Sequence, residues 1–190
     1  MSTAMFRTSR PVSAADPSLP HVVLVGIPGS GKSTIGKLAA ERLGRAFLDF
    51  DREIERRESQ SVAEIFAQRG EPEFRRLERE LTKELTEFGG MIVAPGGGWI
   101  VDPANLMALE GHALVVWLKV RPETALARLR DQVSARPLLM RPDPLGELKK
   151  LLEQREALYA RAQHLINTEM VTLEQAVDRV AALATATDVA

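Results

Sequence analysis

The sequence VGIPGSGKST, residues 25–34, is the stretch that decides the fold. It follows the apolar run HVVLV and precedes a segment whose apolar residues recur at helical spacing. Four residues meet the pattern GxxxxGK followed by Ser or Thr: Gly26, Gly31, Lys32 and Ser33. Glycines in such a loop let backbone N–H groups turn inward, and the following helix N-terminus adds its positive end. The stretch therefore predicts a loop that holds the phosphate chain of a nucleoside triphosphate.

Individual residues of this loop suit separate tasks. The pattern assigns Lys32 to the β and γ phosphates, and Ser33 offers a hydroxyl to Mg²⁺, which prefers oxygen ligands. The alternative is a glycine-rich turn with a solvated lysine, and the correct flanking elements disfavour it. The loop residues predicted to bind the nucleotide are Gly29, Ser30, Gly31, Lys32, Ser33 and Thr34.

Bulk composition narrows the class of protein. The 190 residues carry a formal net charge of −1, so no basic field favours nucleic acid or an anionic membrane. The sequence has no cysteine, which excludes a disulfide framework and a thiolate zinc site and fits a reducing compartment. No apolar run is long enough to span a bilayer. We expect a cytoplasmic protein with small-molecule partners, no nucleic acid and no membrane.

The N-terminus differs in composition from the rest of the chain. Residues 1–20 are rich in Ser, Thr, Ala and Pro, and are predicted to form a disordered extension ahead of a single domain at 21–186. They lack the continuous apolar stretch of a secretory signal. Arg7 and Arg10, with no acid before Asp16, leave a transit peptide as a minor alternative.

Apolar runs alternate with helical segments from residue 21 onward. This alternation predicts an α/β protein built from βαβ units, with a parallel sheet buried on both faces. Strands are predicted at HVVLVG, RAFLDF, MIVAPGGG, ALVVWLKV and HLINT. The segment DQVSARPLLMRPDP, residues 131–144, is basic, rich in proline and without periodicity, and is predicted to be a mobile loop.

Two acids follow the second predicted strand, in the sequence LDFD. If the backbone stays extended, Asp49 and Asp51 project to the same side at the carboxyl end of the sheet. One carboxylate would then hold a Mg²⁺-bound water while the other meets an acceptor hydroxyl. The alternative is a polar strand end followed by a helix cap.

Four pieces of the sequence, in one order, resemble the shikimate kinase family. They are the segment from GIPGSGKST to RRLERE, then APGGG, ARPLL and REALY, and the resemblance runs from about residue 22 to about residue 182. It implies a P-loop kinase fold with three α/β/α layers and a five-stranded parallel sheet. It also implies a helical substrate-binding section, at about 51–80, a mobile lid, at about 131–144, and a monomer.

The resemblance also implies an activity. Shikimate kinases transfer the γ-phosphate of ATP to the 3-hydroxyl of shikimate, giving shikimate 3-phosphate and ADP on the route to chorismate and aromatic amino acids. By this likeness Asp51 holds the shikimate hydroxyls and Asp49 is the acid near Mg²⁺. Arg75 and Arg155 grip the substrate carboxylate, and Glu78 lies one helical turn from Arg75, where it can orient that arginine.

Further roles follow from the same resemblance. Gly96, Gly97 and Gly98 match the glycine loop that lies against the substrate ring. Arg136 of ARPLL matches the lid arginine, and Arg128 resembles the arginine that packs on adenine, although the spacing between them is one residue long. The residues expected to act in catalysis are Lys32, Asp51 and Arg136.

The chemistry of these residue types agrees with the assignments. A guanidinium matches a carboxylate with two parallel hydrogen bonds, which lysine cannot make. Phosphoryl transfer passes through a loose transition state, so Asp51 is expected to orient more than to deprotonate. Arg136, in an aperiodic segment, would arrive when that segment closes and excludes water. Taken singly, Arg75 and Arg155 also fit solvated helix residues paired with nearby glutamates.

The sequence departs from the family pattern in two places, and it leaves several rival functions open. Pro95 and Trp99 flank the glycine triplet, where members of the family often carry small or aliphatic residues, and Trp99 is expected to pack beneath the site. Rivals are a gluconate or nucleoside monophosphate kinase, a non-catalytic sensor, and a module that hydrolyses ATP slowly. The histidines, expected at strand or loop ends, are His21, His112 and His164.

Overall fold

A computed structural model describes residues 18–130 and 142–187. Five parallel strands form one sheet in the order β2-β3-β1-β4-β5. Their bounds are β1 His21–Val25, β2 Phe47–Asp49, β3 Ile92–Ala94, β4 Ala113–Lys119 and β5 His164–Asn167. The predicted five-stranded parallel sheet is confirmed.

Helices follow the strands along the described chain. They are α1 Lys32–Leu43, α2 Phe50–Glu58, α3 Val62–Leu85, α4 Pro103–Ala108, α5 Pro122–Arg130, α6 Pro144–Tyr159 and α7 Leu173–Thr187, with a 3₁₀ turn at Trp99–Val101. The sequence pattern did not predict α4 or the 3₁₀ turn, since both are shorter than two helical turns and carry no readable periodicity.

The sheet is buried on both faces, as parallel sheets require. Along β1, Val23 and Val25 belong to the core beneath α2, α3, α5 and α6, whereas Val22 and Leu24 belong to the core beneath α1 and α7. Successive strand residues point to opposite faces, so one continuous apolar run supplies both cores. The three-layer α/β/α arrangement follows.

The strand order positions the site. β1 lies between β3 and β4, so the chain crosses over β1 after β3 and the order of the strands reverses there. Ligands of open α/β sheets bind at the carboxyl ends of strands at such a point. The loops that leave β1 and β3 are residues 26–31 and 95–98, the two glycine-rich loops of the sequence.

α3 is divided by a sharp kink. Gly70 has φ 79° and ψ 169°, a backbone conformation that side chains rarely permit, and Pro72 lacks the N–H needed to continue the first half of the helix. The helix begins at a capping box, in which the Ser61 hydroxyl accepts from the Glu64 N–H and the Glu64 carboxylate accepts from the Ser61 N–H. Two helical segments therefore meet at residue 70 within α3.

The backbone turns helical earlier than the sequence suggested. Asp49 is the N-cap of α2, its carboxylate accepts from the Arg52 N–H at 3.3 Å, and Asp51 lies on the first turn of the helix. The expectation that Asp49 and Asp51 share an extended segment is therefore wrong. The structure has the alternative, a strand end followed by a helix cap, because a carboxylate at this position satisfies a free helix N–H.

Some predictions fall outside the described residues. The described residues do not include 1–17 of the predicted extension. They also do not include 131–141 of the predicted lid, where Arg136 lies. The carbonyl of Leu19 accepts from the Gly90 N–H at 2.7 Å, so residue 19 is already attached to the fold. Within the described ranges, none of the helices has the length and apolar character needed to cross a membrane.

Candidate active site

The loop after β1 has the backbone conformation that its glycines permit. Gly29 and Gly31 have φ values of 81° and 100°, in the left-handed region. A Cβ on Gly29 would lie 2.5 Å from the carbonyl oxygen of Ala125, so this position also needs glycine for space. The helix α1 starts at Lys32, directly after the loop, so its first N–H groups point at the loop's concave side.

Lys32 lies across the loop itself. Its ammonium donates to the carbonyl oxygens of Gly26 at 2.8 Å and Ile27 at 3.2 Å. Beneath it Ser30 is fully buried, and its hydroxyl has no hydrogen-bond partner within the described part of the chain. The loop therefore carries an ammonium, a buried hydroxyl and a helix N-terminus, all of which suit a phosphate chain.

Ser33 and Asp49 form the part of the site that suits a metal. The Ser33 hydroxyl donates to Asp49 Oδ2 at 2.6 Å, which joins the first turn of α1 to the end of β2. The pair offers one hydroxyl and one carboxylate, an all-oxygen set. Mg²⁺ is commonly held by one or two protein oxygens together with water and phosphate, so these two residues fit it.

The second glycine loop contacts the first. A Cβ on Gly97 would lie 3.3 Å from Pro28 Cδ, because β1 and β3 are adjacent in the sheet and their loops leave the same edge. The glycine triplet thus forms a wall beside the phosphate-binding loop. A molecule resting on the triplet would lie next to the phosphate chain.

Three side chains from three helices meet at this triplet. A Cβ on Gly96 would lie 3.1 Å from Asp51 Oδ1, which belongs to α2. Arg155 of α6 donates from Nη1 to the carbonyl oxygen of Gly97 at 2.9 Å. The guanidinium of Arg75, from α3, lies on Gly98, where a Cβ would be 2.6 Å from its Cζ. An acid and two arginines therefore converge on residues 96–98.

Arg75 is held between two carboxylates. Its Nη1 donates to Glu78 Oε2 at 2.5 Å, and its Nη2 donates to Glu71 Oε1 at 2.8 Å. The Glu78 side chain is fully buried, whereas the Glu71 side chain is 60% exposed. The expectation that Glu78 orients Arg75 agrees with this contact. Glu71 was not singled out from the sequence, although it lies four residues before Arg75, a spacing that places two side chains on one helix face.

Burial changes the titration of Glu78. Its pKa is raised to about 7, chiefly by loss of hydration and also by the nearby Asp51 carboxylate, while Arg75 and Arg155 act in the opposite direction. Glu78 Oε1 has no hydrogen-bond partner among the described residues. The site thus contains a carboxyl group that titrates near neutral pH.

Trp99 packs beneath the site and does not enter it. Its side chain is 1% exposed, and its indole N–H donates to the Thr82 hydroxyl at 2.8 Å. Thr82 in turn donates to the backbone carbonyl of Glu78 at 2.7 Å. The prediction that the indole packs is confirmed, and the hydrogen bonds tie the end of the triplet to the helix that carries Arg75.

Arg128 belongs to α5, the helix whose Ala125 carbonyl lies against Gly29 of the phosphate-binding loop. Its Nη1 and Nη2 donate to the hydroxyl and the carbonyl oxygen of Thr168, each at 2.9 Å. The guanidinium is thereby fixed at the turn after β5. Its predicted role at adenine stays a prediction, and Arg136 lies outside the described residues.

Tyr159 is a site residue that the sequence did not reveal. It is fully buried, its hydroxyl donates to the Gly97 carbonyl at 2.9 Å, and its ring stacks on Trp117 with centroids 5.8 Å apart. The signal available was its position four residues after Arg155, on the same face of α6.

An open cleft of about 590 Å³ borders the outer side of Arg75. Arg79, which pairs with Asp102 at 2.9 Å, is one of its lining residues. The cleft is lined by Glu71, Pro72, Arg75, Arg79, Gly98, Val101, Asp102 and Pro103.

The fold and the site together define a P-loop phosphotransferase: a phosphate-binding loop on a five-stranded parallel sheet, with a second, acid- and arginine-rich pocket beside it. The family model for shikimate kinase matches residues 28–184. The chain belongs to the shikimate kinase family.

Curated relatives agree with this family. The chain is 43% identical over 159 residues to a shikimate kinase of Symbiobacterium thermophilum, covering 83% of this chain and 91% of the relative. It is 45% identical over 144 residues to a shikimate kinase of Mycobacterium avium, covering 75% of this chain and 80% of the relative.

Solved structures give the same result. The shikimate kinase from Acinetobacter baumannii in complex with shikimate superposes with a TM-score of 0.80 at 37% identity, covering 88% of this chain and 94% of that one. A deoxyadenosine kinase from M. mycoides superposes with a TM-score of 0.61 at 14% identity and so shares the fold. The protein is therefore an ATP-using kinase of the P-loop type.

Proposed function

We propose that this protein phosphorylates the 3-hydroxyl of shikimate with ATP, giving shikimate 3-phosphate and ADP in the biosynthesis of chorismate and aromatic amino acids. The observation that carries the proposal is the convergence of Asp51, Arg75 and Arg155 on residues 96–98. An acid for ring hydroxyls and two guanidinium groups for a carboxylate are what a small hydroxylated acid requires. The contact between the triplet and the phosphate-binding loop supports direct transfer.

The acceptor is bound and oriented by charge. Arg75 and Arg155 bind the carboxylate, the glycine triplet lies against the ring, and Asp51 accepts a hydrogen bond from the hydroxyl that attacks. The new bond joins this hydroxyl oxygen to the γ-phosphorus, the bond from that phosphorus to the ADP oxygen breaks, and the hydroxyl proton passes toward Asp51. Since the transition state is loose, orientation contributes more than basicity.

The donor is held by the loop after β1. The residues that contact the phosphates are Gly29, Ser30, Gly31, Lys32, Ser33 and Thr34, and Arg128 packs on the adenine ring. Mg²⁺ would be held by Ser33 and Asp49, where it neutralises phosphate oxygens when bound. Lys32 and Arg136 carry the remaining charge that develops on the transferred group.

One coupled assay tests the activity. ADP formation is measured with shikimate, gluconate and nucleoside monophosphates, each with and without Mg²⁺. The proposal requires turnover with shikimate that depends on Mg²⁺; turnover with gluconate alone, or binding of an aromatic ligand without turnover, would transfer the function to a rival class.

Paired variants test the residues. Lys32→Ala and Asp51→Asn should each lower kcat by about 10²- to 10³-fold, as the loss of one preorganised charged contact does in other enzymes. Lys37→Ala and Asp178→Asn are matched controls, because both side chains are exposed on α1 and α7 away from the loops. Arg136→Ala should lower kcat more than it weakens ATP binding; an effect on binding alone would remove its transition-state role.

Three further expectations remain proposals. Limited proteolysis with and without ligands tests the division of the chain. The expected parts are an extension at residues 1–20 and a domain at 21–186, which contains a substrate section at about 51–80 and a lid at about 131–144. A monomeric state is tested by sedimentation, and a cytoplasmic location by cell fractionation. We expect neither nucleic acid nor membrane as a partner.

A further inference from the structure

The outer edge of Arg75 is already occupied by a carboxylate of the protein itself. Glu71 Oε1 accepts from Arg75 Nε at 3.2 Å and from Nη2 at 2.8 Å. These two N–H groups are parallel, and they form one of the two edges through which a guanidinium binds a carboxylate with paired hydrogen bonds. The other edge is shared with Glu78, which takes Nη1.

A third carboxylate cannot dock on both edges as they stand. Glu78 is fully buried, so its removal from Arg75 would leave a buried carboxylate without its cation. Glu71 is 60% exposed, and water replaces the contact when it leaves. Of the two internal carboxylates, Glu71 is therefore the one that yields to an incoming acid.

The surroundings of Glu71 give it somewhere to go. It follows Gly70, at the kink of α3, and it lines the cleft of about 590 Å³ beside Arg75. The guanidinium of Arg79 lies in the same cleft and is half-exposed. A rotation of the Glu71 side chain into the cleft would expose the Nε and Nη2 edge of Arg75 without moving a buried group.

We propose that Glu71 is an internal stand-in for the substrate carboxylate, and that its displacement from Arg75 sets the affinity for the acid substrate. The inference rests on the proposed function for the identity of that acid. Glu71 thereby determines specificity, because a neutral analogue of the substrate could not displace a carboxylate from the guanidinium.

Removal of the Glu71 charge tests the exchange. Glu71→Gln keeps the length and an acceptor oxygen, and is expected to tighten shikimate binding by about 2- to 5-fold, the range in which an exposed ion pair contributes. Binding is measured by calorimetry without nucleotide. Glu80→Gln is the matched control: Glu80 lies on α3, is 55% exposed and pairs with Arg76, so it changes the net charge equally while leaving Arg75 alone.

A second readout does not depend on shikimate or on activity. The side-chain Nε–H resonance of Arg75, assigned through its loss in Arg75→Lys, is followed during titration with benzoate, a carboxylate without ring hydroxyls. Saturation should occur at lower benzoate concentration in Glu71→Gln than in Glu80→Gln, and Glu71→Ala should behave like Glu71→Gln.

The outcomes separate the two proposals. If Glu71→Gln binds shikimate or benzoate no better than Glu80→Gln, the exchange is refuted, and weaker binding would make Glu71 a positioning residue for Arg75. If the unmodified protein neither binds nor phosphorylates shikimate, the proposed function is refuted, and the benzoate titration still decides whether Glu71 competes for Arg75.

Discussion

Arg155 donates a hydrogen bond from Nη1 to the carbonyl oxygen of Gly97 over 2.9 Å. The same oxygen accepts from the Tyr159 hydroxyl, also at 2.9 Å. The carbonyl of Gly97 and the N–H of Gly98 belong to one planar peptide. The two donors that hold the Gly97 carbonyl therefore also hold the Gly98 N–H. Arg155, which we propose binds the substrate carboxylate, and the buried Tyr159 thus hold the glycine triplet in one orientation.

Tyr159→Phe should weaken this hold without removing the ring. The loss of one hydrogen bond to a carbonyl costs about 1 kcal/mol, so we expect KM for shikimate to rise about 3- to 10-fold with kcat changed less. Steady-state kinetics at saturating ATP measures the split, and thermal unfolding measures the cost to stability. Unchanged KM in a less stable variant would restrict Tyr159 to a packing role.

Gly98→Ala should displace Arg75. The new Cβ would lie 2.6 Å from Arg75 Cζ, inside contact distance, and φ of Gly98 is −95°, so the backbone itself accepts alanine. We expect KM for shikimate to rise about 10-fold or more, the effect of losing one charge-assisted contact, with KM for ATP little changed.

Gly97→Ala provides the comparison for that variant. Its Cβ would be 3.3 Å from Pro28 Cδ, a tight contact that a small shift relieves. The effect on KM for shikimate should therefore be smaller than in Gly98→Ala. Equal effects in the two variants would show that the loop as a whole was disturbed, not Arg75.

The conformation of the glycine-rich loop after β1 could be predicted from sequence because its residues lie in one short motif. The family resemblance also led us to expect Asp51, Arg75 and Arg155 near the glycine triplet, where the structure places them. Lys32 and Ser33 are adjacent to the glycines that shape their loop, and the apolar runs around them fix the strand and the helix. The conformation at Asp51 could not be predicted, since LDFD fits both an extended strand end and a helix cap. The choice depended on the hydrogen bond between Asp49 and the Arg52 N–H.

Contacts between distant segments were the part that sequence could not supply. Tyr159 and Gly97 are 62 positions apart, and only the packing of α6 against the 3₁₀ turn brings them together. Glu71 is close to Arg75 in sequence, yet a glutamate four residues from an arginine on an exposed helix is common and carries no signal of its own. Its meaning depends on the second carboxylate, Glu78, being buried.

Glu78→Gln should stabilise the protein most at high pH. The pKa of Glu78 is raised from 4.5 to about 7, so between these values the folded state binds the proton more tightly than the unfolded state. Stability from this group is thus greatest below pH 4.5 and falls as the pH rises toward 7. Such a rise corresponds to about 3 kcal/mol above pH 7, a figure that already includes the opposing effect of Arg75.

The measurement for Glu78 is the free energy of unfolding in urea for both proteins between pH 5 and pH 8. The free energy of unfolding of Glu78→Gln minus that of the unmodified protein should increase with pH across that range. The variant should also have a higher KM for shikimate, because Arg75 loses its charged partner. Glu80→Gln is the control: Glu80 lies on the same helix, is 55% exposed and pairs with Arg76, away from Arg75. A difference independent of pH would contradict the raised pKa.

His21 should make the fold sensitive to acid. It is fully buried at the start of β1, its Nε2 lies 2.9 Å from the Leu85 carbonyl oxygen, and its Nδ1 accepts from the Met91 N–H at 3.2 Å. Burial lowers the pKa of His21 below 6.5. A proton on Nδ1 would remove the acceptor for Met91 and bury a charge.

The sign of the His21 effect is opposite to that of Glu78. The unfolded chain takes up the proton near pH 6.5 while the folded chain resists it, so stability is complete above pH 6.5 and falls as the pH drops below that value. One proton gives a slope of at most about 1.4 kcal/mol per pH unit.

Urea unfolding of Glu78→Gln, which lacks the opposing titration, should show this slope between pH 6.5 and pH 5. His21→Gln in that background should be less stable at pH 8 but flatter with pH, whereas His164→Gln, at an exposed imidazole on the edge strand, should keep the slope. An equal slope in the His21 variant would assign the acid sensitivity to other groups.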